Sequence, residues 1–63
     1  MYEAAFRVLE VLETSDGPVS GEYISGRLGI SRSAVWKHVK ELISMGYEIT
    51  ASQKEGYRLT KKS

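Results

Sequence analysis

Arg32, Ser33, Trp36, Lys37 and Lys40 lie close together in the chain, at helical spacing. At ~100° per residue they gather largely on one side of a helix, with Val35, Val39 and Leu42 on the other. A guanidinium can pair bidentately with guanine O6 and N7, and a serine hydroxyl can contact several base edges. Lys37 and Lys40 have the reach for phosphates, which give affinity and register but carry no sequence information. Trp36 can stack on a sugar or a thymine methyl, or shield phosphate contacts from water. Ser31 precedes the stretch as an N-cap candidate, and a cap hydroxyl or first-turn amide can also meet a phosphate. Lys54 and Arg58 form a second basic pair further on. The chemistry these types can do is recognition of a nucleic acid. The competing readings are plainer. Arg32 can pair with a surface acid, and the lysines can be a solvated face. Trp36 can lie over the stem of Lys40 or pack against a partner chain.

Other chemistries find few residues. Cysteine is absent, which removes disulfides, thiolate nucleophiles and thiolate metal sites. His38 is the single histidine. It sits beside an apolar stripe and reads as a partly buried, hydrogen-bonded ring. There are no paired carboxylates in an apolar pocket, no nucleophile with a base and no phosphate loop. The expectation is a chain that is not an enzyme, with no cofactor, no metal and no small-molecule site. A domain of ~60 residues buries only about 60% of the surface its unfolded chain exposes, too little to wall a deep cavity. Hydrophobic residues make up 41% and charged residues 27% of the 63, which fits a globular rather than a disordered chain. No apolar run approaches the ~18 residues of a membrane span. Glu3 and Arg7 near the start do not fit a signal peptide. No membrane partner and a cytoplasmic setting are expected.

The net charge of +1 hides a division. Residues 1–25 hold Glu3, Glu10, Glu13, Asp16 and Glu22 against Arg7, a net −4. Residues 26–63 hold Arg27, Arg32, Lys37, Lys40, Lys54, Arg58, Lys61 and Lys62 against Glu41, Glu48 and Glu55, a net +5. Such asymmetry is a candidate electrostatic footprint for phosphate.

The elements that must position these residues are legible from periodicity and punctuation. Residues 2–14 read as a helix, with Ala5, Phe6, Leu9 and Leu12 on one stripe and Val8 and Val11 widening it. Ser15-Asp16-Gly17-Pro18 ends it as a turn, and Val19 can be extended. Residues 20–28 read as a short helix capped by Ser20, with Glu22 in its first turn and Arg27 suiting the dipole at its end. Tyr23, Ile24 and Leu28 are its apolar face, and Gly29 stands at C′. Residues 31–45 read as the longest helix, with Ala34, Val35, Val39, Leu42 and Ile43 as its buried stripe and Gly46 as its stop. The period then changes to two. Tyr47, Ile49 and Ala51 alternate with Glu48 and Thr50, and Tyr57 and Leu59 with Arg58 and Thr60, across a polar loop ending in Gly56. Wing strands are expected at 47–51 and 56–60, with Lys61-Lys62-Ser63 frayed. Tyr23, Tyr47 and Tyr57 stand at core-facing spacing.

Gly29-Ile30-Ser31 between a short and a longer helix is the spacing of a helix-turn-helix, with Ile30 as the plug. A helix before and a hairpin after make it a winged helix-turn-helix, mainly α with a small β-hairpin, occupying 1–63 as one domain. In such a unit the N-terminal part of the second helix enters the major groove. That part here holds Arg32 and Ser33.

The run Ser31-Arg32-Ser33-Ala34-Val35-Trp36-Lys37-His38-Val39-Lys40-Glu41-Leu42, followed by Gly46-Tyr47-Glu48-Ile49, resembles the N-terminal domain of biotin–protein ligases that also repress the biotin operon. Ser20-Gly21-Glu22 and Gly56-Tyr57-Arg58-Leu59 are similar to that helix-turn-helix type 11 domain as well. The resemblance covers about residues 2–60. It implies operator binding to double-stranded DNA as part of a homodimer, with Arg32, Ser33 and Lys37 as recognition-helix contacts. It also implies that a ligase domain can follow in a longer protein; nothing in this chain resembles that domain. Lys54 departs from the family's Gly-x-Gly-Tyr loop, and Glu55 places an acid beside the phosphate track. A differently shaped wing tip is therefore expected. The leading expectation is the DNA-binding module of a bacterial-type transcriptional repressor. The alternatives are a winged-helix protein-interaction module, in which Trp36 and the acidic first helix face protein, and a non-catalytic appendage of a ligase.

Overall fold

The computed structural model describes residues 2–61. Three helices are followed by a hairpin: α1 (Glu3–Thr14), α2 (Gly21–Leu28), α3 (Arg32–Ser44), β1 (Glu48–Ser52) and β2 (Gly56–Lys61). This is the winged helix-turn-helix the sequence predicts. The boundaries move by a residue, and each shift has a cause. Ser20 and Ser31 sit outside their helices as caps in extended geometry, and their hydroxyls accept the backbone N–H of Tyr23 at 3.0 Å and of Ala34 at 3.1 Å. Tyr47 stays out of β1 because its N–H donates to the Leu42 carbonyl at 3.2 Å, closing the end of α3. Lys61, expected to fray, pairs opposite Glu48 at the end of β2. Lys62 and Ser63 lie outside the described residues.

One core joins the three helices. Ala5, Val8, Leu9 and Leu12 of α1 meet Ile24 of α2 and Val35, Val39 and Leu42 of α3, with Val19 buried at the edge. Ile30 packs partly buried against this cluster from within the turn. Three helix residues expected inside are instead exposed: Phe6 (50%), Tyr23 (53%) and Ile43 (44%). On α1 it is Val8 that completes the stripe. Phe6 lies ~100° from Ala5 on the side away from Val8. Tyr23 is likewise ~100° from the buried Ile24. Ile43 falls beyond Val39, on the flank shared by Trp36 and Lys40. Tyr47 and Tyr57 are half-buried and packed on the core as expected, whereas Ala51, near the wing tip, is exposed.

The hairpin is antiparallel, with Ile49 opposite Leu59 and Ala51 opposite Tyr57. A bulge at Glu48/Ile49 leaves Thr60 over, and its hydroxyl donates to the Glu48 carbonyl at 3.0 Å. Val19 adds a short third rung. Its N–H donates to the Tyr57 carbonyl at 2.8 Å and its carbonyl accepts the Tyr57 N–H at 2.7 Å. The segment between α1 and α2 thereby clamps the base of the wing.

Candidate nucleic-acid interface

The turn between α2 and α3 fixes how α3 is presented. Gly29 adopts left-handed backbone (φ 69°, ψ 35°), and the N–H groups of Gly29 and Ile30 both donate to the Ser25 carbonyl, at 2.9 and 3.1 Å. The Ser25 hydroxyl in turn donates to the Ile30 carbonyl. Ser25 therefore fastens both edges of the turn. Nothing in its local sequence pattern singles it out, because its partner lies beyond the helix end.

Burying Val35, Val39 and Leu42 leaves Arg32, Ser33, Trp36, Lys37 and Lys40 on the outer side of α3, all exposed. Among the described residues, no ion pair or hydrogen bond engages the side chain of Arg32, Lys37 or Lys40. Pairing Arg32 or Lys37 with an anion would therefore break no internal ion pair or hydrogen bond. Ser33 lies 3.3 Å, hydroxyl to hydroxyl, from the capping Ser31. Ser31 is thus committed to Ala34 while remaining exposed at the same helix end. His38 stands on the other flank, its Nδ1 2.8 Å from Glu41 Oε1, both part-buried. That is the hydrogen-bonded ring expected from the sequence.

Lys54 lies in the loop at the wing tip, where the Ser52 hydroxyl accepts the N–H groups of Lys54 and Glu55, each at 3.2 Å. Arg32 and Lys54 share one surface notch with Ser20, Gly21, Gln53 and Tyr57. The Arg32 guanidinium lies close to Gly21, at the start of α2. Two basic residues 22 positions apart are so brought to one edge, beside a helix N-terminus that favours negative charge. Gln53 joins them without having been singled out by sequence. Arg58 is not brought there. It alternates with Tyr57 and Leu59, which face the core, so its exposed side chain projects from the outer face of the hairpin.

Trp36 is 42% exposed, but its ring is engaged. It stacks on Tyr57 of β2 with centroids 6.2 Å apart and planes at 16°. The Lys40 ammonium lies over the indole, 5.6 Å from its centroid. The open groove on the α1–α2 side, lined by Arg7, Glu10, Val11, Thr14, Tyr23 and Arg27, gathers no catalytic constellation. Among the described residues, no group of three or more His, Asp or Glu could hold a metal ion, and no helix is long and apolar enough to cross a membrane.

The sequence profile of the helix-turn-helix (HTH) domain family matches residues 5–58, from α1 into β2. Two curated relatives, the bifunctional ligase/repressor BirA of Bacillus subtilis and that of Bacillus spizizenii, are each 57% identical to the chain over 44 residues. That span is 70% of this chain and 14% of each of theirs, so the match leaves most of the relatives' length uncovered. With the profile matching most of the chain and the turn geometry in place, the chain belongs to the HTH domain family.

Proposed function

We propose that this chain is the DNA-binding domain of a transcriptional repressor of the biotin-operon type. The observation that carries the reading is the outer side of α3, where Arg32, Lys37 and Lys40 are exposed and free of ion pairs among the described residues. The name ligase/repressor carried by the 57% identical relatives supports it. The N-terminal half of α3 enters the major groove, with Arg32 and Ser33 at base edges. Lys37 and Lys40 flank it on phosphates, with the Ser31 end of the helix close to the backbone. Lys54 follows the neighbouring backbone from the wing tip, and Arg58 adds a long-range positive charge from the outer face of the hairpin.

One such domain covers few base pairs, so specific binding uses two copies about one helical turn apart, each a single domain over 1–63. No step of catalysis is assigned to these residues. The ligase activity in the relatives' name belongs to proteins of which this chain spans 14%.

The test is an NMR amide titration of the chain with a short arbitrary duplex at low salt. Non-specific affinity of ~10⁻⁴ to 10⁻⁶ M at physiological salt is within reach of chemical shifts. Residues 32–40 and 53–55 are expected to shift together, and the shifts to fade with added salt. If only scattered lysines move, the reading fails. Shifts confined instead to α1, on titration with a candidate protein, would favour the protein-facing reading, for which the exposed Tyr2 and Phe6 are the specific observation.

A further inference from the structure

We propose that Trp36 is a strut between the recognition helix and the wing: its stack on Tyr57 sets where the wing-tip cation stands on DNA. The proposal rests on the DNA-binding reading above and assigns a positioning residue within that site.

A two-stranded hairpin is marginal by itself and takes its orientation from what it leans on. Here Tyr57 is the pivot. Its backbone N–H and carbonyl are both held by Val19, at 2.7 and 2.8 Å. Its ring is confined on the α2 side, where Cε2 would lie 3.3 Å from a Cβ placed on the buried Gly21. Trp36 bears on the same ring from α3, 6.2 Å between centroids and 16° from parallel, an offset stack. So α2, α3 and the α1–α2 segment all converge on one residue of β2, the segment on its backbone and the two helices on its ring, and Trp36 supplies the α3 contact. Lys54 is three residues from Tyr57 at the tip of the same hairpin, and any tilt about Tyr57 displaces it. The indole also holds Lys40 by a cation–π contact, keeping that ammonium on the DNA-facing flank. Tyr57 and Lys40 thus both engage the indole ring from within the domain.

The experiment is a double-mutant cycle read by fluorescence anisotropy of a labelled arbitrary duplex, with wild type, Trp36→Ala, Lys54→Ala and the double variant, plus Trp36→Phe. Melting curves verify that each is folded. The expected loss for Trp36→Ala is ~3- to 10-fold in affinity, the scale of one aromatic pair. Lys54→Ala should cost clearly less in the Trp36→Ala background than in wild type, because the strut and the cation act as one unit. The dependence of log K on log salt should flatten by about one unit in Trp36→Ala, although tryptophan carries no charge. Trp36→Phe, which keeps a ring against Tyr57, should restore most of the binding. Additive losses with an unchanged salt slope would overturn the proposal and make Trp36 a direct contact. Full affinity in Trp36→Ala would overturn it too. Should the wild type bind no duplex, the DNA reading fails instead. The strut then stands or falls on the free protein: faster amide exchange at Val19 and Tyr57 in Trp36→Ala supports it, and unchanged exchange overturns it.

Discussion

At Gly56 the backbone runs at φ 103°, in the region that side-chain-bearing residues rarely enter. A Cβ there would lie 2.6 Å from the Val19 carbonyl carbon and 2.7 Å from Ser20 Cα. Neither neighbour is a flexible side chain that can move aside. Gly56→Ala therefore adds left-handed strain of ~1–2 kcal/mol and forces the Val19–Tyr57 rung apart, with its two backbone bonds. The expected outcome is a melting point lowered by more than about 8 °C, on the scale of 4–8 °C per kcal/mol for a domain this small. Amide protection at Val19 and Tyr57 should be lost before that at Val39. A melting curve matching wild type would disprove the close approach. The sequence shows that a glycine ends the loop but not why, since Val19 lies 37 positions away. The Trp36–Tyr57 stack is invisible for the same reason: nothing in either residue's neighbourhood names the other. Cations need no such partner, so Arg32, Lys37 and Lys40 are legible from helical spacing alone. Arg58 is legible as a cation on the outward side of its strand, but that this side lies apart from the notch of Arg32 and Lys54 emerges only from the fold. Lys37→Ala should weaken binding by a similar factor on unrelated duplexes and lower the salt slope by about one. Arg32→Ala should instead cost ~1–3 kcal/mol on its preferred site and little elsewhere, as comparative titrations would show.

Elements are where periodicity informs most and still leaves a choice. The existence and order of α1, α2 and α3 follow from periodicity, and their ends from the turn Ser15-Asp16-Gly17-Pro18, the caps Ser20 and Ser31 and the stops at Gly29 and Gly46. Which flank of a stripe is buried does not follow. On α1, Phe6 or Val8 can close the stripe, and the larger residue looks like the better core former. The choice goes to Val8, which is fully buried in one cluster with Val35 and Val39 of α3, residues 27 and 31 positions away that the local pattern of α1 does not name. Ser25 illustrates the same limit for polar contacts. Its hydroxyl and carbonyl both serve the turn, so Ser25→Ala removes one bond of that lattice and leaves the half-buried Ile30 carbonyl without its donor. The expected destabilisation is about 1 kcal/mol. Ser31→Ala should cost a similar amount through the lost Ala34 cap. The two substitutions separate in DNA binding. Once the protein is folded, Ser31→Ala should leave the direction of α3 intact, whereas Ser25→Ala loosens it and weakens binding further. Urea titrations of both variants, each paired with a duplex titration, check this.

For the whole molecule, net charge is a poor guide to what DNA meets. The described residues span 27 × 26 × 19 Å, about three Debye lengths at physiological ionic strength, where the screening length is ~8 Å. α1 packs on the buried stripe of α3, so the exposed Glu3 and Glu10, opposite the buried stripe of α1, point away from Arg32, Lys37 and Lys40. With DNA against α3 as proposed, the acidic half of the molecule should be screened from the phosphates at physiological salt, and the cations on the near face should set affinity. With Lys37, Lys40 and Lys54 on phosphates, log K should fall against log salt with a slope of roughly −3. Near 0.01 M salt the screening length grows to ~30 Å, longer than the molecule, and the acids repel the same duplex. The plot should then bend and flatten at its low-salt end. Glu10→Lys isolates this effect, because it changes the net charge by two without touching α3. It should alter affinity less than twofold at 0.15 M salt, raise it several-fold near 0.01 M, and straighten the plot. An equal gain at both salt concentrations would mean that α1 itself lies against the duplex, and that DNA approaches this domain from a side other than α3.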